Sequence, residues 1–287
     1  MSFFKKNKAA VHKTVSEEWK STEQEPVSAP APHRKRLLSY QMANLQGVGS
    51  RERQEDSFAT ANAFDVTEIR EKGLLFVVCD GMGGMRDGRL ASETAVAGIR
   101  NFFMAMDRKR DMAGQLKESI FLAADEVREK LDGDGGSTVV AGIIFEEKLY
   151  YASVGDSYLY LRRGNGLYRL NREQNLCNEK YLESIRSGNL NPREAEEAPE
   201  ASALTQFLGM TGFCQVDCSV RPLPLREGDI LLACSDGVGA VLEEQEIWNA
   251  LNFNSPQAMC QQLEQGIFAH AKKNQDNYTA LVVKCMY

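Results

Sequence analysis

Short apolar runs that stop at an aspartate constrain this chain more than any other feature. Residues 73–79 (GLLFVVC) form a continuous apolar run, too short for an ordinary helix, and read as a strand buried on both faces. That strand ends in Asp80-Gly81. A second, at 229–234, ends in Ser235-Asp236-Gly237, and the last, at 278–285, begins directly after Asp276-Asn277. In antiparallel neighbours the end of one strand lies beside the start of the next. If the last strand runs antiparallel to the other two, Asp80, Asp236 and Asp276 share one rim of a sheet. The Glu55-Asp56 pair, ahead of a strand-like stretch at Ser57–Ala61, can join them. Carboxylates crowded in this way repel and raise one another's pKa, and bound cations relieve the repulsion. An all-oxygen donor set selects hard ions such as Mg²⁺ or Mn²⁺. An Asp-Gly after a strand is also a common turn, and the pattern alone leaves both readings open.

Between these strands the period changes. Ala91, Ala95, Ile99, Phe102 and Met106 recur every three to four residues, as do Met112, Leu116, Ile120, Val127 and Leu131, which predicts two amphipathic helices. After a Gly-rich turn at 133–136 come strand-like segments at 138–145, 149–154 and 158–162. Residues 177–203 are polar and helix-prone, with a break at Asn191-Pro192. A strand is expected at 216–220, and helices at 244–251 and 256–271. Hairpin-linked strands in blocks, separated by helix pairs, indicate α+β with antiparallel sheets.

Charge and composition exclude several classes. The net charge is −6, but residues 1–36 hold eight Lys/Arg against four Asp/Glu, leaving 26 against 36, or −10, for the rest. An acidic body argues against a nucleic-acid groove. The first 36 residues contain Pro26, Pro30 and Pro32 with no sustained apolar period, and read as an unstructured basic tail ahead of one domain at 37–287. No run is long enough for a membrane helix, and no signal-peptide core follows the N-terminal lysines. Seven scattered cysteines, with Cys79 and Cys234 inside apolar runs, suit reduced thiols in a cytoplasmic protein. Cys214 and Cys218 lack the partners of a zinc site.

The motifs also carry a resemblance. Arg51-Glu52-Arg53-Gln54-Glu55-Asp56, Asp80-Gly81-Met82-Gly83-Gly84, Gly136-Ser137-Thr138, Gly155-Asp156-Ser157, Ser235-Asp236-Gly237 and Asp276-Asn277 stand in one order. In that order the chain from about Ser39 onward resembles the metal-dependent serine/threonine protein phosphatases of type 2C, in their bacterial form. The resemblance implies a central antiparallel β-sandwich flanked by pairs of helices, with two Mn²⁺ or Mg²⁺ ions at one end. It implies that Asp80 bridges the ions, that Asp236 and Asp276 complete one, and that Glu55 and the Gly81 carbonyl serve the other. Asp56 acts through a bound water, and Arg51 holds the substrate phosphate, which suits a guanidinium fork. A water between two such ions loses a proton near neutral pH and attacks phosphorus. Residues 177–203 fall where the family has its variable flap. The implied substrates are phosphoserine and phosphothreonine on proteins, opposing a serine/threonine kinase, and the implied form is a monomer. His12, His33 and His270 lie far from every motif, which leaves no support for a histidine-based route.

Four positions depart from the pattern. Met82 replaces a frequent His, Ala240 a frequent Asp of a third metal site, Arg89 a frequent acid, and Tyr158 a frequent Arg. Asp132 or Asp134 remains to supply part of a third site. Gly136-Ser137-Thr138 reads as packing and turn residues, and Gly155-Asp156-Ser157 as a hairpin turn with internal hydrogen bonds. Met82 and Ala240 also motivate two other readings: a pseudophosphatase that binds phosphoproteins without turnover, and a hydrolase of small phosphate esters.

Overall fold

The structure is a computed structural model that describes residues 37–83, 87–188, 193, 195, 197–198, 200–270 and 274–287. The basic tail at 1–36, Gly84 and the expected break at Asn191-Pro192 lie outside the described residues. Leu37–Tyr287 forms one compact unit.

Two antiparallel sheets make its centre. The strands are β1 (Ser39–Gly47), β2 (Ser57–Ala61), β3 (Leu74–Cys79), β4 (Val139–Phe145), β5 (Lys148–Val154), β6 (Tyr158–Arg163), β7 (Gly166–Arg169), β8 (Asp217–Cys218), β9 (Leu223–Pro224), β10 (Ile230–Cys234) and β11 (Tyr278–Met286). One sheet has the order β1-β11-β10-β6-β7 and the other β2-β3-β4-β5-β8, with β9 also on β5. The helices are α1 (Val66–Lys72), α2 (Gly88–Ala105), α3 (Met112–Lys130), α4 (Leu176–Ser187), α5 (Asp236–Gly239), α6 (Glu244–Ala250) and α7 (Pro256–His270). None of the described helices is long and apolar enough to cross a membrane.

The apolar runs have a simple cause. Every residue of β3 is fully buried, because the strand is covered on both faces. Leu75, Val77 and Cys79 point into a core shared with α2 and α3. Leu74, Phe76 and Val78 point the other way, against Leu159, Leu161, Leu231, Ala233, Leu281 and Val283 of the second sheet. That sheet's outer face, with Leu232, Cys234, Ala280 and Val282, packs on α6 and α7. The result is the expected sequence of layers: helices, sheet, sheet, helices. Truncating Phe76 to Ala would remove a large ring from the inter-sheet core, a change that costs about 3–5 kcal/mol in such settings. The ring faces Gly142 across the β3–β4 ladder, where any Cβ would overlap it.

Several local expectations change. The strand expected at 216–220 shrinks to the two residues of β8: the Ser219 hydroxyl takes the Tyr151 N–H, and Val220 beyond it is exposed. β1 carries Gln41, Asn44 and Gln46 among its apolar residues, as an edge strand can, and gave no clean period. The largest correction concerns the shared rim. β11 does run antiparallel to β10. β3, however, pairs with β2 and β4 in the other sheet. Asp80 and Asp236 therefore meet across the sandwich and do not sit side by side on one sheet edge.

Candidate metal centre

Chain direction gathers the acids at one end of the sandwich. Cys79, the last residue of β3, pairs with Ser57, the first of β2. Cys234 at the end of β10 pairs with Tyr158 at the start of β6 and lies opposite Ala280 near the start of β11. The crossover from β1 to β2 brings Arg51, Glu55 and Asp56 to this end, and the short link from β5 to β6 brings Asp156.

Buried polar groups tie these segments together. Ser235 Oγ donates to Asp56 Oδ2 at 2.8 Å, joining the two sheets. Asn277, almost fully buried, accepts from Glu55 N at 2.7 Å and donates to Val48 O and Arg53 O. It holds the loop that presents Arg51 and Glu55. Asp80 is held through its backbone: its N–H donates to Thr138 Oγ1 at 3.1 Å, and its carbonyl accepts from Ser137 Oγ and Thr138 N, both at 2.9 Å. Gly81 sits against Gly88 and the Glu55 carbonyl, so closely that a Cβ would overlap the Gly88 carbonyl oxygen. The Glu55 carboxylate lies beside Gly83, where a Cβ would displace it.

The side chains of the cluster are electrostatically strained. Burial, then the charges of Asp236 and Asp276, push Asp56 up to about 7 against the opposing bonds from Ser235 and Thr279. Asp80 is pushed well above the usual carboxylate range by burial, by Asp56 and by Asp236. Burial also raises Asp236, and Asp276 adds to the effect. Asp80 and Asp236 also act on each other, Asp236 raising Asp80 and Asp80 lowering Asp236, so that without cations a proton stays with Asp80. Arg51, half-exposed, bonds Asp276 Oδ2 through Nη2 at 2.6 Å. Asp56 Oδ1 and Asp236 Oδ1 are buried and have no hydrogen-bond partner.

Protons and a guanidinium thus do in part what cations would do. Among the described residues, no three His, Cys, Asp or Glu side chains close on one point as a ready-made cage. Mg²⁺-like ions do not require one, because they keep several waters and take only one or two carboxylates each. Orphaned buried carboxylate oxygens, raised acids and an absence of nitrogen or sulfur donors fit hard divalent cations.

One acid escaped the sequence reading. Burial and Asp236 push Asp156 up to about 7, and Asp156 in turn contributes to the rise of Asp80. Its turn is held from outside as well as by the Asp156 backbone: Ser157 Oγ pairs with Thr138 Oγ1 at 2.7 Å, and Ser157 O accepts from Asn171. The available signal was positional, since Gly155-Asp156 follows the apolar run 149–154 just as Asp80 and Asp236 follow theirs. Asp132 and Asp134 lie exposed on the turn after α3, with Asp132 at a φ of 52°. That turn returns to the site at Gly136, whose carbonyl accepts from Met82 N at 3.0 Å. Ala240 is exposed just past α5 and offers no donor.

Comparison with known proteins agrees with this arrangement. The family model described as protein phosphatase 2C matches residues 41–186. The serine/threonine phosphatase stp of Listeria innocua is 29% identical over 228 residues, covering 76% of this chain and 87% of that protein. The phosphatase MsPP of Mycobacterium smegmatis, solved with cacodylate, superposes with a TM-score of 0.67 at 27% identity, covering 85% of this chain and 97% of that one. The catalytic domain of the phosphatase PstP, solved with two manganese ions, shares the fold at 22% identity and a TM-score of 0.69, covering 88% and 100%. The motif order, the layered sandwich and the crowded acids at its end have one common explanation: the chain belongs to the protein phosphatase 2C family.

Proposed function

We propose that this protein hydrolyses phosphoserine and phosphothreonine on proteins with two divalent cations, Mn²⁺ or Mg²⁺, held at the end of the sandwich. The observation that carries the reading is the set of acids Asp56, buried, and Asp80 and Asp236, half-buried, gathered at one end with two orphaned oxygens and all raised above the usual carboxylate range. The two manganese ions of the PstP catalytic domain, which shares the fold, support it. Asp80, held by Ser137 and Thr138, would bridge both ions. Asp236 and Asp276 would hold one, Glu55 and the Gly81 carbonyl the other, and Asp56 would act through a water. Asp156, beside Asp236, is the carboxylate placed to serve a third ion, while Ala240 adds nothing to it. When bound, the ions supply positive charge and lower the pKa of water, giving a nucleophile at neutral pH.

The chain's own groups do the rest. Arg51 is half-exposed on a loop fixed by Asn277, and its fork can leave Asp276 for a phosphate monoester. Met82 has no proton to give, so the leaving alkoxide takes its proton from water. Residues 177–203 act as a flap that helps select substrates. The phosphorylated substrates come from an opposing serine/threonine kinase. Cys79, Cys234, Cys260 and Cys285, buried and unbridged, suit a protein working in the reducing cytoplasm, and the working form is a monomer.

Phosphate release from a phosphothreonine peptide tests the reading. Activity should require Mn²⁺ or Mg²⁺ and fall by about a hundredfold or more in Asp80→Asn, the scale for losing a central electrostatic group. Activity without metal contradicts it. Binding of phosphopeptides without turnover, or faster turnover of nucleotides than of peptides, would replace it with one of the alternative readings.

A further inference from the structure

The turn that carries Asp156 is gripped from outside by the segment leading into α4. Gly155 N donates to Gln174 Oε1, and Gly155 O accepts from Gln174 N, both at 2.9 Å. Asn171 Nδ2 donates to Ser157 O at 2.8 Å, and Asn171 Oδ1 accepts from Leu159 N at 2.8 Å. Arg169 lies over the Tyr158 ring, with Cζ 4.0 Å from its centroid, and its Nη1 bonds Glu173 Oε1 at 2.6 Å. The same ring abuts Gly239, so closely that a Cβ there would overlap it. Gly239 belongs to α5, the single turn that begins with Asp236.

The same residues also close the base of the 176–203 segment. Leu176 N donates to Ala203 O at 3.0 Å, and Thr205 N to Gln174 O at 2.8 Å. Glu173 Oε2 accepts from Asn175 Nδ2 at 2.7 Å, and Asn175 Oδ1 caps α4 by accepting from Asn178 N at 2.9 Å. One short stretch is therefore tied on one side to the helix cap and on the other bonded to Gly155 and Ser157, which flank Asp156, and packed through Tyr158 against the turn of Asp236.

We infer that residues 169–175 are a strut through which α4 sets the positions of Asp156 and Asp236, with Gln174 and Arg169 as its positioning residues. Neither side chain reaches the reacting atoms. Gln174 fixes the height of the Asp156 turn through two bonds to Gly155. Arg169 clamps Tyr158 against α5, and its bond to Glu173 ties that clamp to the cap of α4. Displacing α4 thus displaces the acids, and by reciprocity metal binding steadies α4.

The inference rests on the metal reading for one of its two readouts, so the test uses both. Hydrogen exchange is followed in metal-free protein, and Mn²⁺ binding by calorimetry, for wild type, Gln174→Met, Asn175→Ala and the double variant. Gln174→Met should speed exchange at Gly155 and in the first turn of α4 by about fivefold, the factor of one hydrogen bond. Asn175→Ala, which touches none of the acids, should also weaken Mn²⁺ binding. The double variant should lose no more than the larger single loss, as members of one network do. Loss of Mn²⁺ affinity in Arg169→Met should be restored in Arg169→Lys, which keeps a cation for Glu173, and this pair replaces Gln174→Met if that variant does not fold. Fraying of α4 in Asn175→Ala with Mn²⁺ affinity unchanged, or strictly additive losses, overturns the strut. If wild type binds no Mn²⁺, the metal reading fails by itself. The exchange arm still decides, because an effect of Gln174→Met confined to Gly155 overturns the coupling.

Discussion

Asp236 faces opposite demands in metal-free and metal-bound protein. Without cations it is a half-buried acid beside Asp276, relieved by Asp80, by the Gly237 backbone and by Arg51. An Asn in its place can donate to Asp80 with no proton taken up. Asp236→Asn should therefore raise the melting temperature in EDTA by a few degrees, a change of about 1 kcal/mol, while abolishing the rise on adding Mn²⁺. The same physics fixes a pH dependence. Asp56 and Asp156 sit at about 7 in the folded protein, against 3.8 ordinarily. Their folded-state values are raised, so the associated stability is full below about pH 4 and is lost as pH rises through 7. Melting temperatures in EDTA should fall between about pH 4 and 7 and level off above, and saturating Mn²⁺ should flatten that fall. If Arg51 is the phosphate fork of the proposed function, Arg51→Ala should raise KM for a phosphopeptide about tenfold or more, measured by steady-state phosphate release. At this scale the motif aspartates were legible because each ends an apolar run. Asp156 was missed because Gly-Asp-Ser reads locally as a turn, although it too ends such a run.

At the level of elements, glycines decide how closely the acid-bearing turns approach. Gly237 follows Asp236 and packs on the start of β11, where a Cβ would overlap the Asn277 carbonyl. Backbone cannot retreat as a side chain can, so Gly237→Ala should destabilise by about 2–3 kcal/mol, as overpacking does, in chemical denaturation. Long buried elements were legible in the sequence: β3, β4, β10, α2 and α3 stand where their periods put them. β1, β7 and α1 were not. β1 is an edge strand whose polar residues break the alternation, β7 has four residues, and α1 has no buried residue to mark a face. Sheet membership was also beyond the pattern. That β3 and β10 end alike says the acids share an end, but not that they come from different sheets.

For the molecule as a whole, the two-sheet arrangement explains why so many carboxylates tolerate one place. The acids stand at the ends of different strands, with Asp80 held through its backbone and Asp56 and Asp276 through bonds to their carboxylates, so the fold keeps them together against their repulsion. A fold that holds them in this way is strained until cations arrive. Metal binding should then displace protons from the raised acids, because ligating carboxylates must be ionised. Calorimetric titration with Mn²⁺ at pH 7, repeated in buffers of different ionisation enthalpy, measures binding and proton release together. The account predicts at least two ions bound, a buffer-dependent heat showing net proton release, and loss of both in Asp80→Asn. Absence of binding, or binding with no proton released, would contradict it.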